Sequence, residues 1–395
     1  MTHNPEMTRG YGRQFLDDAD REQVLQVLDS AFLTQGPKVS EFEEALCRAT
    51  GAAHAVAVSS GTAAVHLACL ALDIGPGKKV ATQDISFIAS ANAALYCGAS
   101  LTLVDVDPRS MSMTPDTVRR AGVRPDLIIP VHFAGLSVLD GTFQSEGFAV
   151  IEDACHALGA VDSDGSAVGS CAHSDMCAFS FHPVKSITTA EGGAITTNSD
   201  RLAEALRELR NHGLVRDPSR WRNRELGLDG IDPNPWYYEQ QSLGFNYRMT
   251  ELQAALGISQ MAKLSSFIAK RRSLALAYLE RLSGLDWVAS LFGQMEIERS
   301  ANHLFVILLD FQKIGKSRRW VMEKLRDRDV GTQVHYIPIH HQPYHTDNAS
   351  SGHDFSGAEA YYQRCLSLPL HPGMSVGDVD HVVFALRQIF EKTNL

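Results

Sequence analysis

Apolar residues along the chain follow two rhythms, and the rhythms alternate. The stretch Asp17–Ser30 opens on the acidic cluster DDAD and has apolar residues at Val24, Leu25, Val27 and Leu28, which predicts an amphipathic helix. LTQGP (Leu33–Pro37) breaks the pattern. SEFEEALCRATG (Ser40–Gly51) predicts a second helix, with Ser40 as N-cap, Glu43 at the capping-box position and Gly51 as the stop. HAVAVSS reads as a short buried strand and GTAAVHLACLALDI as a helix. After GPGKK come KVATQ then FIASANAALYCG, SLTLVDVD then TPDTVRRAGV, PDLIIPVHFAG, and FAVIEDA. Strands with helices between them predict an α/β fold with a mainly parallel sheet.

Further on, β-branched residues flank Gly192-Gly193 in ITTAEGGAITTN, a hairpin-like pair. SDRLAEALRELRNHG predicts a helix capped by Ser199 or Asp200 and ended by Gly213. Arg216–Gly244 is rich in Pro, Gly and Asn and reads as a long surface loop. MTELQAALGISQMAKLSSFIAKRRSLALAYLERL predicts one or two long helices linking two domains. The remainder predicts a small α+β domain: strands HLFVILLDF and GTQVHYIPI, helices WVMEKLRDR and DVDHVVFALRQIFEKT, and a polar, flexible-looking stretch Thr346–Gly357. No internal repeat is visible. The expected division is 1–260, a large α/β domain with an N-terminal arm, and 261–395.

Composition narrows the function. A length of 395 residues suits about two domains, and 44% hydrophobic with 21% charged residues suits a packed globular protein. A net charge of −10 argues against nucleic-acid binding; the one basic run, KSRRW, reads as a solvated helix end. No apolar run reaches membrane-spanning length and the first residues lack an apolar leader, so a cytoplasmic protein without membrane association is expected. The seven cysteines are scattered, as reduced core thiols would be. Cys171 and Cys177 flank His173 and Asp175, but no C-x-x-C pair accompanies them, and no metal site is expected.

Five stretches hold candidate chemistry. SSGTAA (Ser59–Ala64), between a strand and a helix, offers N–H groups and a hydroxyl to a phosphate, or serves as an ordinary N-cap. It is not a P-loop, and GPGKK lacks the Ser/Thr after its lysine. In IEDACHALGA, Asp153 ends an apolar strand, where α/β sheets bind ligands, and His156 follows one helical turn later. In FSFHPVKSITTAEGGAITTN, Ser180, His182 and Lys185 follow a strand; a lysine in a partly apolar pocket has a lowered pKa and can form a Schiff base, whereas a surface turn lysine does neither. FNYRMTELQAALG either presents Asn246 to a ligand or holds a helix cap. QVHYIPIHHQPYH gathers His335, His340, His341 and His345 with no HExxH spacing and no carboxylate close by, which suits a polar sugar or peptide surface better than a metal.

SSGTAA, SFIASANAAL, EDACHALGA, SFHPVKSITTAEGGAITTN and NYRMTELQAALG, in that order, resemble the motifs of the DegT/DnrJ/StrS sugar-nucleotide aminotransferases, fold-type I enzymes that use pyridoxal 5'-phosphate. The resemblance covers nearly the whole chain. Within the family, LTQGP, the SFHPVK stretch and TQVHYIPIHHQPY are most similar to the UDP-4-amino-4,6-dideoxy-N-acetyl-β-L-altrosamine transaminases of pseudaminic acid biosynthesis. The resemblance implies a seven-stranded, mainly parallel sheet and a homodimer with a shared active site. It implies Lys185 as the lysine that binds the cofactor, Asp153 as partner of the pyridine nitrogen, and His156 at the phenolic oxygen. Phe87 is similar to the aromatic on the ring face. Gly61, Thr62 and Ser180 are similar to phosphate ligands, and Asn246 to one supplied by the neighbouring subunit. Tyr11, Thr34, His335 and Tyr336 are similar to sugar-nucleotide contacts.

The implied reaction moves an amino group from glutamate to the C4 keto group of a nucleotide-linked 4-keto-6-deoxy sugar. Family members with histidine in place of the lysine are sugar deoxygenases, and Lys185 favours transamination. The rival readings are amination at C3 or of a GDP- or dTDP-linked sugar, and a non-catalytic, cofactor-binding regulator.

Overall fold

The computed structural model of the protein describes residues 9–350 and 354–391. The strands of its main sheet are β1 (His54–Val58), β2 (Lys79–Gln83), β3 (Ser100–Val104), β4 (Leu127–Ile129), β5 (Ala149–Asp153), β6 (Met176–Ser180) and β7 (Gly193–Thr197). They lie in the order β1-β7-β6-β5-β4-β2-β3. The run from β6 to β3 is parallel, and β7 is antiparallel to both β1 and β6. The expected sheet is therefore present. It gains one edge strand, Ala349–Ser350, parallel to β3.

The first four helices are α1 (Asp18–Leu28), α2 (Pro37–Thr50), α3 (Gly61–Ala71) and α4 (Ala89–Tyr96). α3 is apolar nearly all round and almost wholly buried, as a helix without a polar face must be. α1 starts with a capping box between Asp17 and Asp20, as its acidic cluster suggests. α2 corrects the sequence reading: it begins at Pro37, not after Ser40. Its first amides are met by the buried carboxylate of Glu251, which accepts from Lys38 N at 2.7 Å and Val39 N at 3.3 Å. Glu43 serves elsewhere. It accepts from Ala57 N at 2.8 Å and pairs with Arg210 at 2.6 Å, fastening α2 to β1.

The expected hairpin around Gly192-Gly193 is also corrected. Residues 187–190 form no strand; β7 pairs instead with β6 (Ser180 opposite Gly193) and β1 (Val58 opposite Gly193). The left-handed residue of the turn is Ala190, φ 64°. Gly193 is required by close approach, since a Cβ there would lie 2.4 Å from the Ser60 carbonyl oxygen and 2.8 Å from Gly61 N. β7 is thereby pressed against the start of α3.

Two helices, Glu251–Met261 and Leu264–Leu282, follow as expected. The C-terminal part has a three-stranded antiparallel sheet of Val288–Ser290, Phe305–Leu309 and Cys365–Leu368. GTQVHYIPI, expected as a strand, makes only an isolated bridge from Gln333 to Ser367. Its later amides turn to Asp84: Ile339 N donates to the carbonyl at 3.0 Å and His340 N to the carboxylate at 2.9 Å. The helices Arg318–Arg326 and Val376–Glu391 match expectation, whereas helix Ser356–Tyr362 and strand Cys365–Leu368 were not foreseen. One apolar cluster runs from Val56 in β1 to Phe390 in the last helix. The N-terminal arm, residues 1–8, and part of the polar stretch, residues 351–353, lie outside the described residues. Among the described residues no helix is long and apolar enough to cross a membrane.

Candidate active site

The C-terminal ends of β5 and β6 place two of the expected residues side by side. Asp153 is the last residue of β5 and is buried. Its Oδ2 accepts from the Ser90 hydroxyl at 2.5 Å and its Oδ1 from Cys155 N at 3.1 Å. The carboxylate is thus aimed before any ligand arrives. Ser180 ends the adjacent β6 and packs on Gly61, where a Cβ would lie 2.7 Å from Ser180 Cβ and 3.2 Å from Cys155 Sγ.

Gly61 and Thr62 open α3, with Ser60 as its N-cap accepting from Ala63 N. The helix start presents N–H groups of the kind that favour an anion, with Ser180 packed against it. Lys185 lies in the loop between β6 and β7, half-buried, its amide bonded to the His182 carbonyl at 2.9 Å. Burial lowers its amine below the ordinary lysine value, while Cys155 and Asp153 nearby oppose the shift.

His156 is buried after β5. Its Nε2 meets the Tyr336 hydroxyl at 3.1 Å, and its Nδ1 has no hydrogen-bond partner. Burial first, then the nearby Lys185 amine, push its pKa well below the ordinary imidazole value. Tyr336 also faces Phe87, with ring centroids 6.1 Å apart, and Phe87 is left 57% exposed as an open apolar platform. His335 packs on Tyr11 at 5.2 Å and bonds Ser367 Oγ at 2.9 Å; burial pulls its pKa down to about 3. Thr34 and Asn246 are exposed and are not hydrogen-bonded to this group: Thr34 bridges Thr250, and Asn246 bridges Asn211. His182 is exposed, its amide 3.5 Å from Ser180 Oγ.

Three supporting residues escaped the sequence reading. Ser90 fixes Asp153. His303 is buried with its ring 4.2 Å from that of His156. Arg271 is buried and donates to the carbonyls of Leu370 at 2.9 Å and Lys185 at 3.4 Å. A signal for Arg271 was present, because it occupies an apolar-face position among Phe267, Ile268, Leu274, Ala275 and Tyr278.

The Cys171 thiol turns to the Thr196 carbonyl at 3.3 Å, and His173 bonds Asp164 at 3.1 Å. The loop Arg216–Gly244 packs on itself, with buried Trp221 4.7 Å from Tyr237 and Glu239 accepting from the amides of Arg222 and Asn223.

A cofactor with a phosphate, an aromatic ring and an aldehyde finds matching partners here. Gly61 opens helix α3 with its amide among the free N–H groups of the helix start, the His156 Nδ1 is orphaned, and burial lowers the Lys185 amine below its ordinary value.

Comparison with known proteins agrees. Residues 14–387 match the DegT/DnrJ/EryC1/StrS aminotransferase family. The chain is 35% identical over 386 residues to the spore coat polysaccharide biosynthesis protein SpsC of Bacillus subtilis, covering 96% of each chain. Its structure is similar to that of Helicobacter pylori PseC, an aminotransferase involved in pseudaminic acid biosynthesis, with a TM-score of 0.86, 28% identity, and 97% and 99% of the two chains covered. It is also similar to DesV of S. venezuelae, with a TM-score of 0.80, 28% identity and 94% of each chain covered. The chain therefore belongs to the DegT/DnrJ/EryC1/StrS family and is a pyridoxal phosphate-dependent sugar aminotransferase.

Proposed function

We propose that the protein transfers an amino group from glutamate to the C4 keto group of a UDP-linked 4-keto-6-deoxy sugar, in pseudaminic acid-type or related surface-glycan biosynthesis. The observation that carries the transamination is Lys185, held half-buried with a lowered pKa within electrostatic reach of Asp153. The choice of sugar is supported by the likeness to PseC and SpsC.

Pyridoxal phosphate, when bound, supplies an electron sink for bonds at the amine-bearing carbon. The chain's own residues do the rest. Gly61, Thr62 and Ser180 would hold the phosphate. Asp153 would keep the proton on the ring nitrogen, because an opposite charge at close range favours the charged form. His156, braced by Tyr336, would serve the phenolic oxygen. Phe87 would stack on the ring and exclude water. Lys185 Nζ would take the proton from the donor carbon as general base and, as general acid, deliver a proton to the sugar carbon that receives the amine. Tyr11, Thr34, His335 and Tyr336 contact the nucleotide-linked sugar.

Asn246 of the partner subunit would complete the phosphate site in a cytoplasmic homodimer. Large apolar side chains at the surface support an interface, among them Ile231, Trp236 and Leu243 of the Arg216–Gly244 loop. The proposed division after residue 260 puts Lys185 and Asp153 in the large domain and Tyr336 in the small one.

The test is incubation with UDP-, GDP- and dTDP-linked keto sugars plus glutamate, with products read by mass and NMR. A 4-amino sugar from the UDP-linked substrate supports the proposal. A C3 amine, or product from another nucleotide only, replaces the sugar assignment. No amine from any pairing overturns the reading.

A further inference from the structure

The histidine-rich stretch after Tyr336 leaves His340 and His341 outside the site described above. The sequence places no carboxylate near them, but the fold brings two. His340 Nε2 and His341 Nε2 lie 3.1 and 2.6 Å from the same Glu359 carboxylate oxygen. The three side chains each offer a ligand atom within 4.8 Å of the others. His340 is locked from behind: its Nδ1 is 2.6 Å from Oδ2 of the fully buried Asp84, and its ring stacks on Phe355 at 4.4 Å and 7°.

A carboxylate on one nitrogen of an imidazole fixes the tautomer and makes the other nitrogen the better donor to a metal. Two imidazoles and one carboxylate are a zinc donor set that leaves a fourth position open. Side-chain exposures of 18%, 36% and 35% for His340, His341 and Glu359 leave an entry path.

We propose that His340 Nε2, His341 Nε2 and the Glu359 carboxylate bind a divalent transition cation, Zn²⁺, with Asp84 orienting His340. Glu359 stands on the helix Ser356–Tyr362, whose Tyr361 hydroxyl donates to the His335 carbonyl. The ion would clip this helix to the segment that carries His335 and Tyr336, steadying the sugar side of the active site without entering the reaction.

The test is equilibrium dialysis of the untagged holoenzyme against Zn²⁺, with Co²⁺ as a spectroscopic probe of nitrogen and oxygen ligation. One ion per chain is expected, with a rise in Tm. Asp84→Asn should weaken binding about 10- to 100-fold, and His341→Asn and Glu359→Gln should abolish the stoichiometric site. Should Asp84→Asn fail to fold, the exposed His341→Asn decides. Absence of stoichiometric binding in the wild type, or unchanged binding in His341→Asn and Glu359→Gln, overturns the proposal.

Discussion

The Tyr336 hydroxyl and His156 Nε2 meet at 3.1 Å, although 180 residues separate them in sequence. This bond joins the segment expected to meet the sugar to the residue expected at the cofactor's phenolic oxygen. Because His156 Nδ1 already lacks a partner, Tyr336→Phe leaves the buried ring with none. An unsatisfied buried polar atom costs about 1–3 kcal/mol. Denaturant unfolding of the cofactor-free protein should show a loss of that order, with a lower kcat in the loaded enzyme. An unchanged midpoint would show that the bond contributes nothing.

Gly61 and Gly193 should be intolerant of even one methyl group, for different reasons. At Gly193 the colliding atoms are backbone and cannot move aside; at Gly61 they belong to Ser180. Overpacking costs about 1–3 kcal/mol, and here it falls on the start of α3, the proposed phosphate site. Gly61→Ala and Gly193→Ala should weaken pyridoxal phosphate at least about tenfold in dialysis. Gly51→Ala, at φ 80° with open space around it, is the control: it should cost about 1 kcal/mol and leave cofactor affinity unchanged.

The contrast between α2 and β7 shows what sequence could reveal. From β1 to β5 strand and helix existence followed from periodicity, because burial of a continuous sheet imposes it locally. The start of α2 did not, because its cap is Glu251, supplied from a distant helix. Gly192-Gly193 looked like a turn, since glycine in sequence does not say whether it is needed for φ or for space. The placement of Asp153 at the end of β5 and of Gly61 at the start of α3 was legible in the strand-then-helix pattern. Ser90 and His303 were not, because their roles exist only once the fold brings them to Asp153 and His156.

Acid should loosen the protein through His335. Burial holds this imidazole neutral, with a pKa of about 3 against 6.5 in the unfolded chain. Between those values the unfolded state binds more protons than the folded one, so stability is full above pH 6.5 and lost as pH falls towards about 3. The slope approaches about 1.4 kcal/mol per pH unit for one such group. Unfolding free energies measured between pH 7 and 5 should fall more steeply in the wild type than in His335→Gln. Equal slopes would place the titration elsewhere.

Lys185 carries the most exposed prediction. If its amine moves the proton, no other side chain can replace it. Alanine has no base, and arginine keeps its proton at all working pH values. Lys185→Ala and Lys185→Arg should each lose at least about 100-fold in kcat, the lower bound for a positioned acid/base. Borohydride should fix the cofactor to the Lys185 peptide in the wild type and to no peptide in Lys185→Ala; a labelled peptide elsewhere would move the role to another lysine. The pH profile adds a second check. Burial lowers the lysine below its ordinary 10.5, so its neutral form is populated at lower pH than in a free side chain. The rising limb of kcat should therefore have an apparent pKa below 10.5, and a limb at or above that value would mean that burial does not prepare this amine for its task.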